Sequence, residues 1–226
     1  MKALITSCGR PDLLLQTLKS FLDRNKYRKW DGEHTNLQIH FTIHEDGNIW
    51  LESEEEYEEL NRVLYDTFIQ TVNGYRSVYT DHVGQHASIE KFLSENNGEK
   101  YYLHLEEDWL IDNSYNWIQA SIDIMEQDPR IIKVLAREGS PHPCVHDCSF
   151  NGVKYGYLHP WINKGIDWAG FSWNPGVTRL DLLKKFEPFP KWEQYLAKNI
   201  HAAGYKVVEL ATPVYRHIGD GRSTHE

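Results

Sequence analysis

Tyr101-Tyr102-Leu103-His104-Leu105-Glu106-Glu107-Asp108 is the stretch that decides the fold. Large, mostly apolar side chains run straight into three carboxylates. A short run of this kind, bounded by polar residues, reads as a strand buried on both faces. Tyr101–Leu105 is therefore expected to be a strand, with Glu106, Glu107 and Asp108 at its carboxyl end. Sheets covered by helices on both faces bind ligands at that end of their strands.

Towards the N-terminus, Ala3–Thr6 is a second apolar run, broken by Cys8-Gly9-Arg10. Pro11 and Asp12 suit the first turn of a helix, where proline's missing N–H costs nothing. Leu14, Leu18, Phe21 and Leu22 follow on one helical face. Leu37–Ile43 reads as a strand ending in the turn residues His44-Glu45-Asp46-Gly47-Asn48. Ser53-Glu54-Glu55-Glu56 matches a capping box, and Tyr57, Leu60, Leu64 and Phe68 give the next helix its stripe. Ser77–Thr80 reads as a short strand and Ala87–Leu93 as a helix.

Towards the C-terminus, Ser114–Gln127 reads as a helix and Ile131–Ala136 as a strand. From Arg137 to Gly176 no period survives, so an irregular stretch is expected there. Helices near Leu180–Phe186 and Trp192–Ala203, a strand at Lys206–Leu210 and a loop-like tail complete the chain. Alternating strands and helices imply an α/β fold with a mostly parallel sheet flanked by helices. With no repeat or linker, residues 1–226 are expected to form a single domain. The strand ends at Cys8-Gly9-Arg10, Glu45-Asp46 and Glu106-Glu107-Asp108 then converge on one rim.

A length of 226 residues is enough for one well-filled core. The net charge of −9 argues against a protein that coats nucleic-acid backbone. Three cysteines make a disulfide framework unexpected and a reducing, cytoplasmic compartment the default, the host's if the chain is viral. The apolar run in Met1–Ser7 is too short for a signal peptide, and no stretch approaches membrane-spanning length, so no membrane insertion is expected.

Glu106-x-Asp108 just past a buried strand suits a hard divalent cation, which prefers oxygen ligands and leaves positions for phosphate. The sequence resembles the GT-A fold glycosyltransferases, most closely those of the family 2 type. Thr6-Ser7-Cys8-Gly9-Arg10-Pro11-Asp12, with Leu14, Thr17, Leu18, Ser20, Phe21 and Leu22, resembles their opening strand and helix. His44-Glu45-Asp46-Gly47-Asn48 resembles the acidic turn that holds the nucleoside, and Gly84-Gln85-His86-Ala87 a segment that begins a helix. Leu105-Glu106-Glu107-Asp108-Trp109 stands where the family carries Asp-x-Asp, with glutamate replacing the first aspartate. Trp192-Glu193 resembles the site of the catalytic base, and His217 that of a C-terminal metal ligand.

The resemblance implies a GT-A, Rossmann-like fold. It implies a metal-dependent hexosyl- or pentosyltransferase that moves a sugar from a nucleotide-diphosphate-sugar donor to an acceptor hydroxyl, with inversion. It implies Mn²⁺ or Mg²⁺ held by Asp108 and His217, with Glu193 as base. Thr6, Arg10, Glu45, Asp46, Gln85, Glu106, Glu107 and Arg222 are then expected around the donor. Asp46 would face the base or ribose, and Arg10 and Arg222 the diphosphate. In Gly170–Gly176, Trp173 (or nearby Trp168) either grips a sugar face, as a donor-binding residue, or plugs the core.

Two other classes fit parts of the pattern. A nucleotidyltransferase acting on sugar phosphates also uses metal and nucleotide, but Cys8-Gly9-Arg10-Pro11 lacks the Gly- and Lys-rich loop expected for triphosphate. A non-catalytic carbohydrate-binding module explains the aromatics but not Glu106, Asp108 and His217. The acceptor stays open between a glycan, a protein and a hydroxymethylated DNA base, for which Lys184, Lys185 and Lys191 offer a basic edge. His142, Cys144, His146 and Cys148 alternate in a way that fits no common zinc module.

Overall fold

The computed structural model describes residues 1–8, 10–24, 39–46, 58, 62, 75–80, 84–113, 115–137, 144–163 and 166–219. Two compact units contain them. One joins Met1–Gly98, Leu105–Tyr115 and Arg216–Glu226; the other joins Glu99–His104 and Asn116–Tyr215.

The first unit opens with β1 (Lys2–Ser7), buried from Ala3 onward, and α1 (Pro11–Arg24). Its parallel partner is β2 (His40–Asp46), with Ile5 beside Ile43 and Ser7 beside Glu45. β3 (Tyr75–Thr80) adds on in parallel beyond β2. The apolar face read in the sequence is the buried one: Leu14 and Leu18 are shielded, and Phe21 meets Phe41 edge-on at 5.2 Å. α2 (Gly84–Glu95) buries Ile89, Phe92 and Leu93. β4 (Tyr101–Glu106) supplies its last two residues to this unit, and β5 (Trp109–Ile111) follows after a turn.

In the second unit, α3 (Trp117–Gln127) buries Trp117, Ile118, Ile124 and Met125, and β6 (Ile131–Leu135) is buried throughout. β7 (Cys148–Phe150), β8 (Val153–Tyr157), β9 (Trp161–Asn163), β10 (Ile166–Trp168) and β11 (Gly176–Arg179) come next. α4 (Leu180–Leu183) runs into a short 3₁₀ turn, α5 spans Glu193–Ala202 and β12 spans Lys206–Leu210. Strands here run in the order β4, β11, β6, β12, β8, β7, with β6 and β12 parallel and the other pairs antiparallel. The last strand, β13 (Tyr215–His217), pairs with β5.

The α/β architecture with its parallel strands and flanking helices is the expected one. The stretch from Arg137 to Gly176 differs, because it holds β7 to β10 and the first residue of β11. These strands are three to five residues long, too short to show a period. A turn signal was nonetheless present: Asn151 and Gly152 both have positive φ, 48° and 81°, as a two-residue hairpin demands. The tail also differs, since Tyr215–His217 is a strand and not a loop. The helix expected over 53–68 lies outside the described residues, apart from Glu58 and Arg62, which are helical.

Candidate functional site

Within the first unit, the ends of β1 and β4 and the starts of α1 and α2 bring polar residues together. The turn after β4 is fastened first. Glu107 N–H donates to Thr6 O at 3.2 Å. Thr17 of α1 donates its hydroxyl to Glu107 O at 2.5 Å and accepts Trp109 N–H at 3.2 Å. Ser20, one turn on, accepts Ile111 N–H at 3.0 Å. A helix that buries leucines thus also offers two hydroxyls to the backbone of the turn and of β5.

The acidic triplet then divides its labour. The Glu106 side chain accepts from Gln85 Nε2 at 2.7 Å, and the same nitrogen lies 3.4 Å from the Thr6 hydroxyl. Glu107 turns inward, where Arg10 Nε (2.8 Å), Arg10 Nη2 and Cys8 N–H (3.3 Å) converge on its Oε1. Burial pushes the Glu107 carboxyl well above the usual carboxylate range, and the Arg10 charge pulls against that rise. For Arg10, burial works to lower the guanidinium, but Glu107 and Asp108 outweigh it and hold the group above its ordinary value.

Asp108 carries its Oδ2 3.0 Å from Arg10 Nη2 and 3.3 Å from His217 Nε2. The segment bearing His217 is seated by Ile218 N–H, which donates to Asp108 O at 2.8 Å. The His217 ring lies 5.0 Å from that of Trp109. A carboxylate oxygen and an imidazole nitrogen form a mixed set that suits Mn²⁺ and neighbouring metals. Adjacent ligands about 2.1 Å from an octahedral cation lie about 3.0 Å apart. The observed separation of 3.3 Å fits that spacing, so Asp108 and His217 could hold such an ion.

No family model matches this sequence, and no curated protein does. Solved structures do. A structure of S. aureus TarS 1-349 matches with a TM-score of 0.53 at 13% identity, over 95% of this chain and 59% of that one. GalNAc-T7 with UDP, GalNAc and Mn²⁺ matches with a TM-score of 0.59 at 9% identity, over 96% of this chain and 44% of that one. UTP-bound UGPase from Acinetobacter baumannii matches with a TM-score of 0.53 at 12% identity, over 92% of this chain and 85% of that one.

The chain has the GT-A fold. At these identities the likeness shows the fold alone, and the chain spans only about half the length of the first two structures. Among the described residues, no helix is long and apolar enough to cross a membrane.

On this GT-A framework, Thr6, Arg10, Gln85, Glu106, Glu107, Asp108 and His217 fall in one unit. Two expectations change, and a third is decided between its two alternatives. Arg10, 6% exposed, grips two carboxylates, so its guanidinium is not laid out for a diphosphate. Glu107, 4% exposed, is the partner of Arg10 and not a ligand-facing acid. Trp173 is a core side chain, 1% exposed, with its ring against Phe171 and Phe189. Among the described residues of the second unit, the exposed large aromatics are instead Trp192 and Tyr195, at the start of α5.

Glu193 is the first residue of α5, and its Oε2 accepts Trp173 N–H at 2.8 Å. Glu45 and Asp46 end β2, and their side chains lie outside what is described. Arg222 lies outside the described residues as well. The role of Thr17 as the clamp of the acidic turn is not legible in the sequence, because a threonine on a helix face carries no sign of what it will meet.

Proposed function

We propose that the chain is a metal-dependent glycosyltransferase, acting as one catalytic domain in a reducing, cytosol-like compartment. It transfers a sugar from a nucleotide-diphosphate-sugar to an acceptor hydroxyl, with inversion. The observation that carries this reading is the pairing of Asp108 with His217, 109 residues apart in sequence and 3.3 Å apart in space, beyond the end of a buried strand. GalNAc-T7, of the same fold, was solved with UDP, GalNAc and Mn²⁺, which supports the nucleotide and the metal.

Asp108 and His217 hold Mn²⁺ or Mg²⁺, with Arg10 keeping the aspartate in place. When bound, the ion supplies positive charge to the diphosphate as the glycosidic bond weakens. Thr6, Gln85 and Glu106 form a hydrogen-bonded set on the donor side, and Glu45 and Asp46 receive the nucleoside. Arg222 would contribute its charge to the diphosphate. Glu193, oriented by the Trp173 N–H, takes the proton of the acceptor hydroxyl. Trp192, 59% exposed beside it, offers a flat face to an acceptor ring. A glycan, a protein or a hydroxymethylated DNA base meets these requirements.

A second reading, a nucleotidyltransferase acting on sugar phosphates, is favoured by the likeness to UTP-bound UGPase over 85% of that chain. One experiment separates the two. The protein is incubated with Mn²⁺ and a panel of nucleotide-sugars, with and without pyrophosphate. Release of nucleoside diphosphate supports the transferase. Pyrophosphate-dependent formation of nucleoside triphosphate supports the alternative, and neither product overturns both.

A further inference from the structure

The second unit carries a cluster that shares no residue with the set used above. Glu209, near the end of β12, sits opposite Gly156 of β8 in an antiparallel pair. Residues directly opposite in such a pair point to the same face. Gly156 leaves a notch there: a Cβ at that position would lie 2.3 Å from Val145 O and 2.6 Å from Cys144 Sγ. The chain from Cys144 to His146 passes over this notch, anchored by the bridge of Cys144 to Leu158. Any residue but glycine at 156 would force the Cys144–Val145 segment to shift.

His146, two residues beyond Cys144, reaches the same carboxylate, with Nε2 3.5 Å from Glu209 Oε1. One ligand atom each from Cys144, His146 and Glu209 lies within 4.8 Å of the others. Thiolate, imidazole and carboxylate together form a donor set for zinc, which takes three protein ligands and keeps a fourth position for water. With bonds of about 2.0–2.3 Å, tetrahedral ligand atoms stand about 3.3–3.8 Å apart. An edge at the 4.8 Å limit would have to close by roughly 1 Å, within reach of a χ1 change at Cys144 or of rotation of the partly exposed His146 ring.

Of the four alternating residues in the sequence, Cys148 turns to Asp147, its Sγ 3.5 Å from Oδ1, and His142 lies outside the described residues. The third ligand comes from a strand more than sixty residues downstream.

We propose that Cys144, His146 and Glu209 bind one zinc ion, clipping the segment before β7 onto the edge of β8 and β12. This site is separate in residues and in ligand chemistry from the Asp108–His217 pair. Mg²⁺ and Mn²⁺ favour oxygen ligands, whereas a thiolate selects zinc.

The test uses the full chain, stripped with a chelator and titrated with zinc chloride against a chromogenic zinc indicator. One equivalent is expected to bind, with a rise in melting temperature, since binding the native state stabilises it. Cys144→Ser and His146→Ala are each expected to weaken binding by at least about 100-fold. His146 is exposed, so its variant tests the site even if Cys144→Ser misfolds. Cobalt loading is expected to give a thiolate-to-metal absorption band that Cys144→Ser removes. Asp108→Asn is expected to leave zinc affinity unchanged, so loss of donor turnover says nothing against this site. Absence of stoichiometric binding, or equal affinity in wild type and His146→Ala, overturns the proposal.

Discussion

A Cβ on Gly219 would sit 2.2 Å from Oδ2 of Asp108, so the two residues are in contact only because position 219 has no side chain. That approach lets Ile218 N–H reach Asp108 O and brings His217 beside the carboxylate. Glycine at 219 is needed here for space, not for mobility. Gly219→Ala is expected to destabilise the protein by about 1–3 kcal/mol through overpacking. It is also expected to weaken Mn²⁺-dependent binding of a nucleoside diphosphate. Thermal unfolding and calorimetric titration check the two effects.

His217→Ala tests the metal reading most cleanly, because the imidazole is partly exposed and its loss leaves no buried charge. Metal-dependent binding of UDP or another nucleoside diphosphate is expected to fall by about tenfold or more, with melting temperature nearly unchanged. Asp108→Asn is expected to abolish that binding. Asp108 is 8% exposed and paired with Arg10, so this variant is also expected to lose stability, unlike a change at an open rim. Unaltered metal dependence in both variants would remove Asp108 and His217 from the site.

Glu107→Gln is expected to cost about 1–3 kcal/mol, because it weakens the bonds of a buried guanidinium that Asp108 still pairs. Denaturant unfolding measures it. A loss below 1 kcal/mol would mean that Asp108 alone satisfies the guanidinium.

Glu193→Gln is expected to cut transfer by about 10²–10⁴-fold while donor affinity stays near normal. The amide can still accept Trp173 N–H through its oxygen, so the fold should hold. Weakened donor binding with turnover intact would give Glu193 a structural role only.

His104 is completely buried and bonded to Trp173 O, and burial, with Lys133 adding to it, lowers its imidazole to about 3. The unfolded chain then binds a proton near 6.5 that the folded chain refuses until about 3. Stability from this group is full above pH 6.5 and is lost as pH falls towards 3. Urea unfolding is expected to show wild type losing more stability than His104→Gln between pH 7 and pH 4. Parallel losses would show that His104 is not buried neutral.

Much of this was legible in the residue order. Tyr101–Leu105 is a strand because an apolar run of that length must be covered on both faces, and the acids after it had to lie at its end. Leu14, Leu18 and Phe21 committed α1 to one buried face, and Asn151-Gly152 is the residue pair of a two-residue hairpin turn. Partnership was not legible. Nothing in Arg10 says whether its guanidinium meets a phosphate or Glu107, since both are anions and only burial distinguishes them. Trp173 and Trp192 are the same residue type nineteen residues apart, yet one is 1% and the other 59% exposed.

The sequence by itself determined the α/β alternation, the position of the acidic turn and the list of chemically able side chains. These follow from local spacing, which the chain carries along its length. Tertiary structure alone decided that Gly219 admits His217 to Asp108, that Arg10 is consumed by Glu107, and that Gly156 opens a notch where Cys144 and His146 meet Glu209. Each is a contact between residues distant along the chain, settled by the room one side chain leaves for another, and that room exists only once the strands have paired.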